Sequence, residues 1–236
     1  MTDRQTLTPE LPVEPVKVEP VNASLTPASG RVLFERKHEI AIKRGIDFLA
    51  AALLLLMLSP LLLLLATLIW LIDGSPILYR RRVVGTNGNS FDAYKFRTMV
   101  PDADALLAAN PKLRDVFTKQ FKLRSDPRVT RLGRWLRKYS LDELPQLLNV
   151  LRGQMSLVGP RMITAEELEK YAPHDRLLLT VKPGLTGYWQ VRGRQDVSYE
   201  QRVEMDIYYI THWSLYLDIK ILLQTPGKVI KREGAY

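Results

Sequence analysis

The densest run of side chains able to do chemistry is Ser140-Leu141-Asp142-Glu143-Leu144-Pro145-Gln146. Two adjacent carboxylates repel each other unless a cation or a hydrogen-bond donor sits between them. A magnesium ion shared by a carboxylate and a diphosphate meets that need. A carboxylate can also act as a nucleophile, giving an acyl phosphate that divides one difficult transfer into two easier ones. The same residues have a plainer reading. Ser140 and Glu143 carry capping-box spacing, so the run could be only a helix start. Pro145 is tolerable there only near the first turn. On either reading Asp142 and Glu143 lie at a helix N-terminus, where free backbone N–H groups favour anions, phosphate included.

Basic residues surround this dyad in the chain. Lys95 and Arg97 lie in Lys95-Phe96-Arg97-Thr98-Met99; Arg124, Arg128 and Arg131 lie just upstream of the dyad; Arg161 closes Gly159-Pro160-Arg161; Lys182 opens a later loop. Arginine forks match phosphate oxygens bidentately. Each residue alone reads as a surface charge, and their number beside a carboxylate pair points to a diphosphate substrate. Other chemistries lack their residues. His38, His174 and His212 show no ligand spacing, and the 236 residues include no cysteine. That removes cysteine-based zinc sites and disulfide frameworks. No glycine-rich phosphate loop leads into Lys-Ser/Thr, so a nucleotide-hydrolysing or dinucleotide-binding reading lacks its motif.

The elements that must position these groups begin with an apolar run, Phe48 to Ile72. It is long enough to cross a bilayer, which takes about 20 residues. Ser59-Pro60 sits at its middle, where proline removes a backbone hydrogen bond and kinks or breaks a helix. Both flanks are basic: Lys43 and Arg44 before, Arg80, Arg81 and Arg82 after. The positive-inside rule then favours the cytoplasm for both ends. A segment that enters, bends at Ser59-Pro60 and returns satisfies both facts; a straight span with a harmless kink is the alternative.

Beyond it, Ile77–Val84 and Phe91–Phe96 read as a hairpin across the Gly/Asn-rich turn Gly85–Ser90. Short helices are expected at Asp102–Ala109 and Leu113–Phe121. Arg128–Tyr139 reads as a basic amphipathic helix with Val129, Leu132, Leu136 and Tyr139 on one face, which suits either a membrane surface or an ordinary solvated face. Thr164-Ala165-Glu166-Glu167 is a capping box opening a helix that Pro173 closes, so its acids are assigned no chemistry. Lys182–Gly187 reads as a loop. Tyr199–Ile230 reads as mostly helical, with Tyr208, Tyr209, Trp213 and Tyr216 suited to headgroup level or to a core. Residues 1–30, rich in Pro, Val, Glu, Thr and Ser, read as a disordered tail and not as a signal peptide. The formal charge of +9 points to phosphate-rich partners without choosing among them.

These pieces, in order, resemble a known family: the monotopic polyprenyl-phosphate phosphoglycosyl transferases, also called bacterial sugar transferases. The resemblance rests on Lys43-Arg44-Gly45-Ile46-Asp47, Ser59-Pro60, Lys95–Met99, Asp126-Pro127-Arg128-Val129-Thr130, Ser140–Val150, Met155–Arg161, Lys182–Gly187 and Trp213-Ser214-Leu215, and covers about Arg36 to the end. It implies a mainly α fold with a small β-hairpin (α+β). A re-entrant membrane helix would occupy 31–75 with its break at Ser59-Pro60, interfacial amphipathic helices would follow, and a cytosolic catalytic domain would occupy 76–236. Asp142 would attack the sugar-bearing phosphate of a UDP-sugar and release UMP, and undecaprenyl phosphate would accept the phosphosugar. Glu143, with Asp142, would bind magnesium. Arg161 would hold phosphate, with Lys95, Arg97 and Arg128 as further candidates, and Lys43 and Arg44 would meet phospholipid headgroups. The enzyme would sit in one leaflet of the bacterial inner membrane, catalytic domain on the cytoplasmic face, as a short, catalytic-only form.

Two positions depart from the pattern: the family often carries Asp where Gln154 stands and Pro where Met162 follows Arg161. Gly193–Tyr199 and the terminal Gly234-Ala235-Tyr236 resemble members transferring glucose or galactose 1-phosphate in exopolysaccharide synthesis, with an N-acetylated or diacetamido sugar as the alternative. A non-catalytic membrane scaffold would leave Asp142 and Glu143 as cap residues only. A nucleic-acid binder finds no motif here, so no nucleic-acid partner is expected. Self-association stays open.

Overall fold

The computed structural model describes residues 37–111, 113–115, 126–192 and 197–231. The expected tail at 1–30, most of the helix expected at Leu113–Phe121, and Gly193–Asp196 lie outside the described residues.

Helix α1, Lys37–Ile72, is 36 residues long, roughly 54 Å at the usual rise per residue. Pro60 lies inside it, and helical structure continues on both sides. Proline lacks the N–H that would bond the carbonyl four residues back, at Leu56. The Ser59 hydroxyl donates to that same carbonyl at 2.8 Å, so the pair removes one backbone donor and supplies a substitute. Most apolar side chains of α1 are exposed, among them Leu49, Leu53, Leu56, Met57, Leu63, Trp70 and Leu71. The helix is long and apolar enough to cross a membrane.

Its two halves are fastened to the rest of the protein in different ways. Near the N-terminus the ties are polar. Lys43 Nζ donates to the Val158 carbonyl at 3.0 Å and to Asp218 at 2.6 Å. Arg44 donates to the carbonyls of Val150 and Leu151 at 2.6 and 2.7 Å. Asp47, buried, accepts from the Ser156 hydroxyl and the Leu157 N–H. Near the C-terminus the ties are mostly apolar: Leu65 and Ile69 pack with Phe96 and Leu136. The Thr130 hydroxyl donates to Asp73 at 2.9 Å, and Arg97 donates to the carbonyls of Asp73 and Gly74, just past the helix end.

The expected hairpin is present. Strand β1 (Leu78–Val84) pairs antiparallel with β2 (Ser90–Phe96), in register from Leu78↔Phe96 to Val84↔Ser90. Phe91 and Ala93 alternate into the core, as a half-buried strand requires. A short helix α2 follows at Ala103–Ala108. Helix α3, Arg131–Lys138, starts three residues later than the amphipathic pattern suggested. The reason is Thr130, whose hydroxyl accepts from the Gly133 N–H at 2.9 Å and caps the first turn. Of the expected stripe, Val129 and Leu136 are buried and Leu132 and Tyr139 are half-buried; Trp135, outside the stripe, is exposed. Gly133 is needed there, since a Cβ would meet the Thr98 carbonyl oxygen at 2.1 Å.

After a 3-10 turn over Leu141–Gln146 come α4 (Leu147–Leu151) and β3 (Ser156–Val158). The capping box forms as read: α5 (Ala165–Leu168) opens on reciprocal Thr164 and Glu167 bonds. It is followed by α6 (Asp175–Leu178). The stretch read as a loop at Lys182–Gly187 instead contains β4 (Gly184–Thr186), parallel to β3. Three residues between turn-forming Pro and Gly carry too little pattern to betray a strand. Helix α7 (Tyr188–Arg192), α8 (Tyr199–Thr211) and α9 (Leu215–Lys231) complete the order. The helical stretch read as Tyr199–Ile230 is thus broken at His212–Ser214, and Ser198 and Gln201 form a second capping box. The main core joins Val83, Phe91, Leu147, Val150, Met155, Leu157, Tyr171, Ile207, Tyr209 and Ile221.

Candidate active site

The motif around Asp142 does not form a capping box. Ser140 has φ 55°, in the left-handed region, and its side chain caps nothing. Its backbone turns the chain out of α3, so the following 3-10 turn starts without a serine cap. Glu143 reaches across to the hairpin instead. Lys95, on β2, donates to Glu143 Oε1 at 2.5 Å. Asp142 is buried beside it.

Burial drives the Asp142 carboxyl above its ordinary range, and the neighbouring Glu143 charge adds to this, against the pull of Lys95 and Arg137. Burial also acts upward on Glu143. There the Lys95 ammonium, by charge and by hydrogen bond, prevails with help from Arg161 and Arg81, and holds Glu143 below the ordinary range. The two acids are therefore pushed apart in proton affinity, the pattern of paired groups with separate roles. Arg137 itself is held below its ordinary value by burial, opposed by Asp142 and Asp126, and its Nε donates to the Thr98 hydroxyl at 2.9 Å.

Arg161 reaches this centre from the turn after β3. Its backbone N–H bonds Asp206 at 3.3 Å, and its guanidinium lies over the Trp189 ring, 5.4 Å from Cζ to the centroid. The turn depends on glycines: a Cβ on Gly159 would meet the Lys182 carbonyl oxygen at 2.5 Å, and one on Gly184 the Gly159 nitrogen at 2.1 Å. This is why Gly159-Pro160-Arg161 and Lys182-Pro183-Gly184 are spaced as a matched pair.

Of the anticipated phosphate-binding residues, Lys95 and Arg161 join the dyad and two do not. Arg97 serves the turn that follows α1, with Nη2 on the carbonyls of Asp73 and Gly74. Arg128 is buried and forks onto Asp126 at 2.9 and 2.7 Å. Lys43 and Arg44 hold the foot of α1 through the bonds described above, and Ser59 and Pro60 lie midway along it. Lys182 lies by that foot too, held below its ordinary value by burial and by Arg44. Both departures from the family pattern have structural occupations: Gln154 accepts from Asn149 at 2.8 Å, and Met162 is buried in the core. The sequence reading missed Arg137 and Arg81. Arg137 lies on the charged face of a basic helix, and only the turn at Ser140 directs it to Asp142. Arg81 bonds buried Glu167 at 2.8 Å across the fold.

Among the described residues no cluster of three or more His, Cys, Asp or Glu could hold a metal. Magnesium usually takes one or two carboxylates, keeps waters and borrows oxygens from substrate phosphates. Adjacent Asp142 and Glu143 fit that kind of substrate-completed site.

The chain matches the family model for bacterial sugar transferases over residues 38–232. It is 47% identical over 199 residues to the undecaprenyl-phosphate galactose phosphotransferase of Salmonella typhimurium, covering 83% of this chain and 42% of that one. It is 46% identical over 198 residues to the exopolysaccharide production protein ExoY of Rhizobium meliloti, covering 82% and 88%. It is 40% identical over 230 residues to the undecaprenyl-phosphate glucose phosphotransferase of Komagataeibacter xylinus, covering 90% and 40%. The chain thus spans less than half of the first and third relatives and most of the second. A buried Asp142 beside a half-buried, Lys95-bonded Glu143, set near Arg137 and Arg161, together with these matches, makes the chain a member of the bacterial sugar transferase family.

Proposed function

We propose that the protein transfers hexose 1-phosphate from UDP-glucose or UDP-galactose to undecaprenyl phosphate, at the cytoplasmic face of the bacterial inner membrane. The observation that carries this is Asp142, buried and desolvated, beside a Glu143 already neutralised by Lys95. The relatives' names supply the substrates.

Asp142 Oδ attacks the phosphorus that bears the sugar. The bond from that phosphorus to the bridging oxygen breaks, and UMP departs with its electron pair. Lys95, Arg137 and Arg161 surround the phosphoryl group and offset charge on its oxygens, an effect that is large in a water-poor site. An oxygen of undecaprenyl phosphate then attacks the same phosphorus, the acyl phosphate bond breaks, and the Asp142 carboxylate is restored. Glu143 and Asp142 would hold magnesium, which supplies further neutralisation of the diphosphate when bound.

For the membrane, the same reading makes α1 re-entrant. Both ends are tied to one domain, Lys43 to Asp218 and Asp73 to Thr130, whereas a single crossing separates its ends by the whole bilayer. Ser59-Pro60 supplies the bend, and phospholipid surrounds the exposed apolar side chains. The test uses purified protein in detergent with magnesium, undecaprenyl phosphate and a panel of UDP-sugars, N-acetylated ones included. UMP release that requires the lipid for turnover supports the proposal; UDP release would make the reaction an ordinary glycosyl transfer and overturn it.

A further inference from the structure

Trp189 and its two arginines form a donor cluster that the reaction as described uses only in part. Both guanidinium groups lie over the indole ring, with Cζ to centroid distances of 5.4 Å for Arg161 and 5.0 Å for Arg202. Arg161 Nε, Arg202 Nε and Trp189 Nε1 are all buried and find no hydrogen-bond acceptor among the described residues. Leaving such donors unmatched is costly unless a ligand completes them.

The carboxylates facing the cluster are engaged elsewhere. Glu167 accepts from Arg81 at 2.8 Å and from the Tyr199 hydroxyl at 3.3 Å. Asp206 accepts from the Tyr171 hydroxyl at 2.8 Å and from the Arg161 backbone N–H. Burial and the like charge of Arg161 both hold Arg202 below its ordinary value. Two mutually repelling cations with spare donors are matched by an anion.

Arg161 links the cluster to the dyad: it acts, with Lys95 and Arg81, on Glu143, and it shares Asp206 and Tyr199 with Arg202. Exposed large apolar side chains occur on α1, on β1 (Leu78, Tyr79), on α2 (Leu106), on α3 (Trp135), on α4 (Leu148) and on α9 (Tyr216, Ile219, Leu223), and none occurs on the described residues of α7 or α8, which carry Trp189 and Arg202. A water-soluble anion therefore suits it better than a lipid phosphate.

On the transfer reading above, we infer that Arg202, with Trp189 Nε1, binds the nucleotide-side phosphate of the donor, the one that leaves as UMP. Arg161 bridges that phosphate and the phosphoryl group on Asp142. Arg202 is then a specificity residue for nucleoside diphosphate donors, and it holds the leaving group until the first bond breaks.

The test measures KM for the UDP-sugar, KM for undecaprenyl phosphate and inhibition by UMP in full-length wild type, R202Q, R202K and W189F. Loss of a charge-assisted hydrogen bond predicts a roughly tenfold or larger rise in UDP-sugar KM for R202Q and an equal weakening of UMP inhibition. The lipid KM stays within about twofold. R202K, which keeps charge and loses the fork, falls between, and W189F shows a smaller shift of the same kind. Unchanged UDP-sugar KM and UMP inhibition in R202Q would overturn the inference, as would a rise confined to the lipid KM. If R202Q does not fold, the same two readouts in R202K decide. If wild type releases no UMP from any donor, the transfer reading fails separately; calorimetric UMP binding to wild type and R202K then judges Arg202 alone.

Discussion

Asp218 and Asp142 are both buried carboxylates, and they are treated in opposite ways. Asp218 receives Lys43 at 2.6 Å, the Tyr209 hydroxyl at 2.7 Å and the Trp213 indole N–H at 3.1 Å. Asp142 receives no side-chain hydrogen bond from the described residues, only the charges of Lys95 and Arg137 and a bond to its own backbone. The lone pairs of Asp218 are committed to holding α1 and α9 together. Those of Asp142 carry no such side-chain bond among the described residues, which on the proposed reaction leaves them for the metal and an incoming phosphorus. Burial alone does not single out a candidate catalytic carboxylate; burial without saturating donors does.

The sharpest way to break the comparison is to remove each charge in turn. Asp142→Asn should lower turnover by at least about 10³-fold, since an amide cannot form the acyl phosphate. Its melting temperature should stay level or rise, because a desolvated charge is lost and no strong bond with it. Turnover within tenfold of wild type, read as UMP release, would remove Asp142 from the mechanism. Lys95→Ala comes next, at about 10²-fold in kcat, the usual effect of deleting one positioned donor. A change confined to stability would make Lys95 a structural partner of Glu143 only.

Asp218→Asn should do the reverse. It leaves Lys43 facing an uncharged partner. Breaking a buried ion pair costs about 3–5 kcal/mol, and partial exposure of Lys43 puts this one near the lower end. The melting temperature should fall by roughly 6–10 °C while kcat per folded molecule stays near wild type. If kcat collapses at unchanged stability, Asp218 belongs with the dyad and the contrast is false.

The contrast was only half legible from the residues. The dyad, the apolar helix, the hairpin and the Thr164 capping box stand out because each depends on local spacing or composition. Arg161 was found by its motif. Arg97 and Arg128 looked equivalent to it, since nothing in a linear run says that one arginine faces the carbonyls of the turn after α1 and another faces Asp126. Arg137 meets Asp142 only through the left-handed turn at Ser140, and Arg202 meets Trp189 only through the packing of α7 against α8. Ser198-x-x-Gln201 carried a capping signal as clear as the one at Thr164, and it went unread beside the aromatic run that follows it.

Asp206 lies between the two treatments and gives the smallest and most discriminating test. It is fully buried, with burial raising its pKa to about 7, opposed by the Tyr171 hydroxyl and the Arg161 N–H. An unfolded aspartate titrates near 3.9. Between about pH 4 and pH 7 the folded chain therefore holds a proton that the unfolded chain has released, so stability falls as pH rises through that window. Asp206→Asn carries no charge at any pH and should remove this dependence. The unfolding free energy of the variant relative to wild type should climb by about 1 kcal/mol per pH unit across the window and level off above it. Denaturant titrations of both proteins in detergent from pH 5 to pH 8 measure it. A flat difference would mean that Asp206 is as fully satisfied as Asp218. A slope would mean that desolvation of its charge outweighs the hydrogen bonds from Tyr171 and the Arg161 N–H that support it.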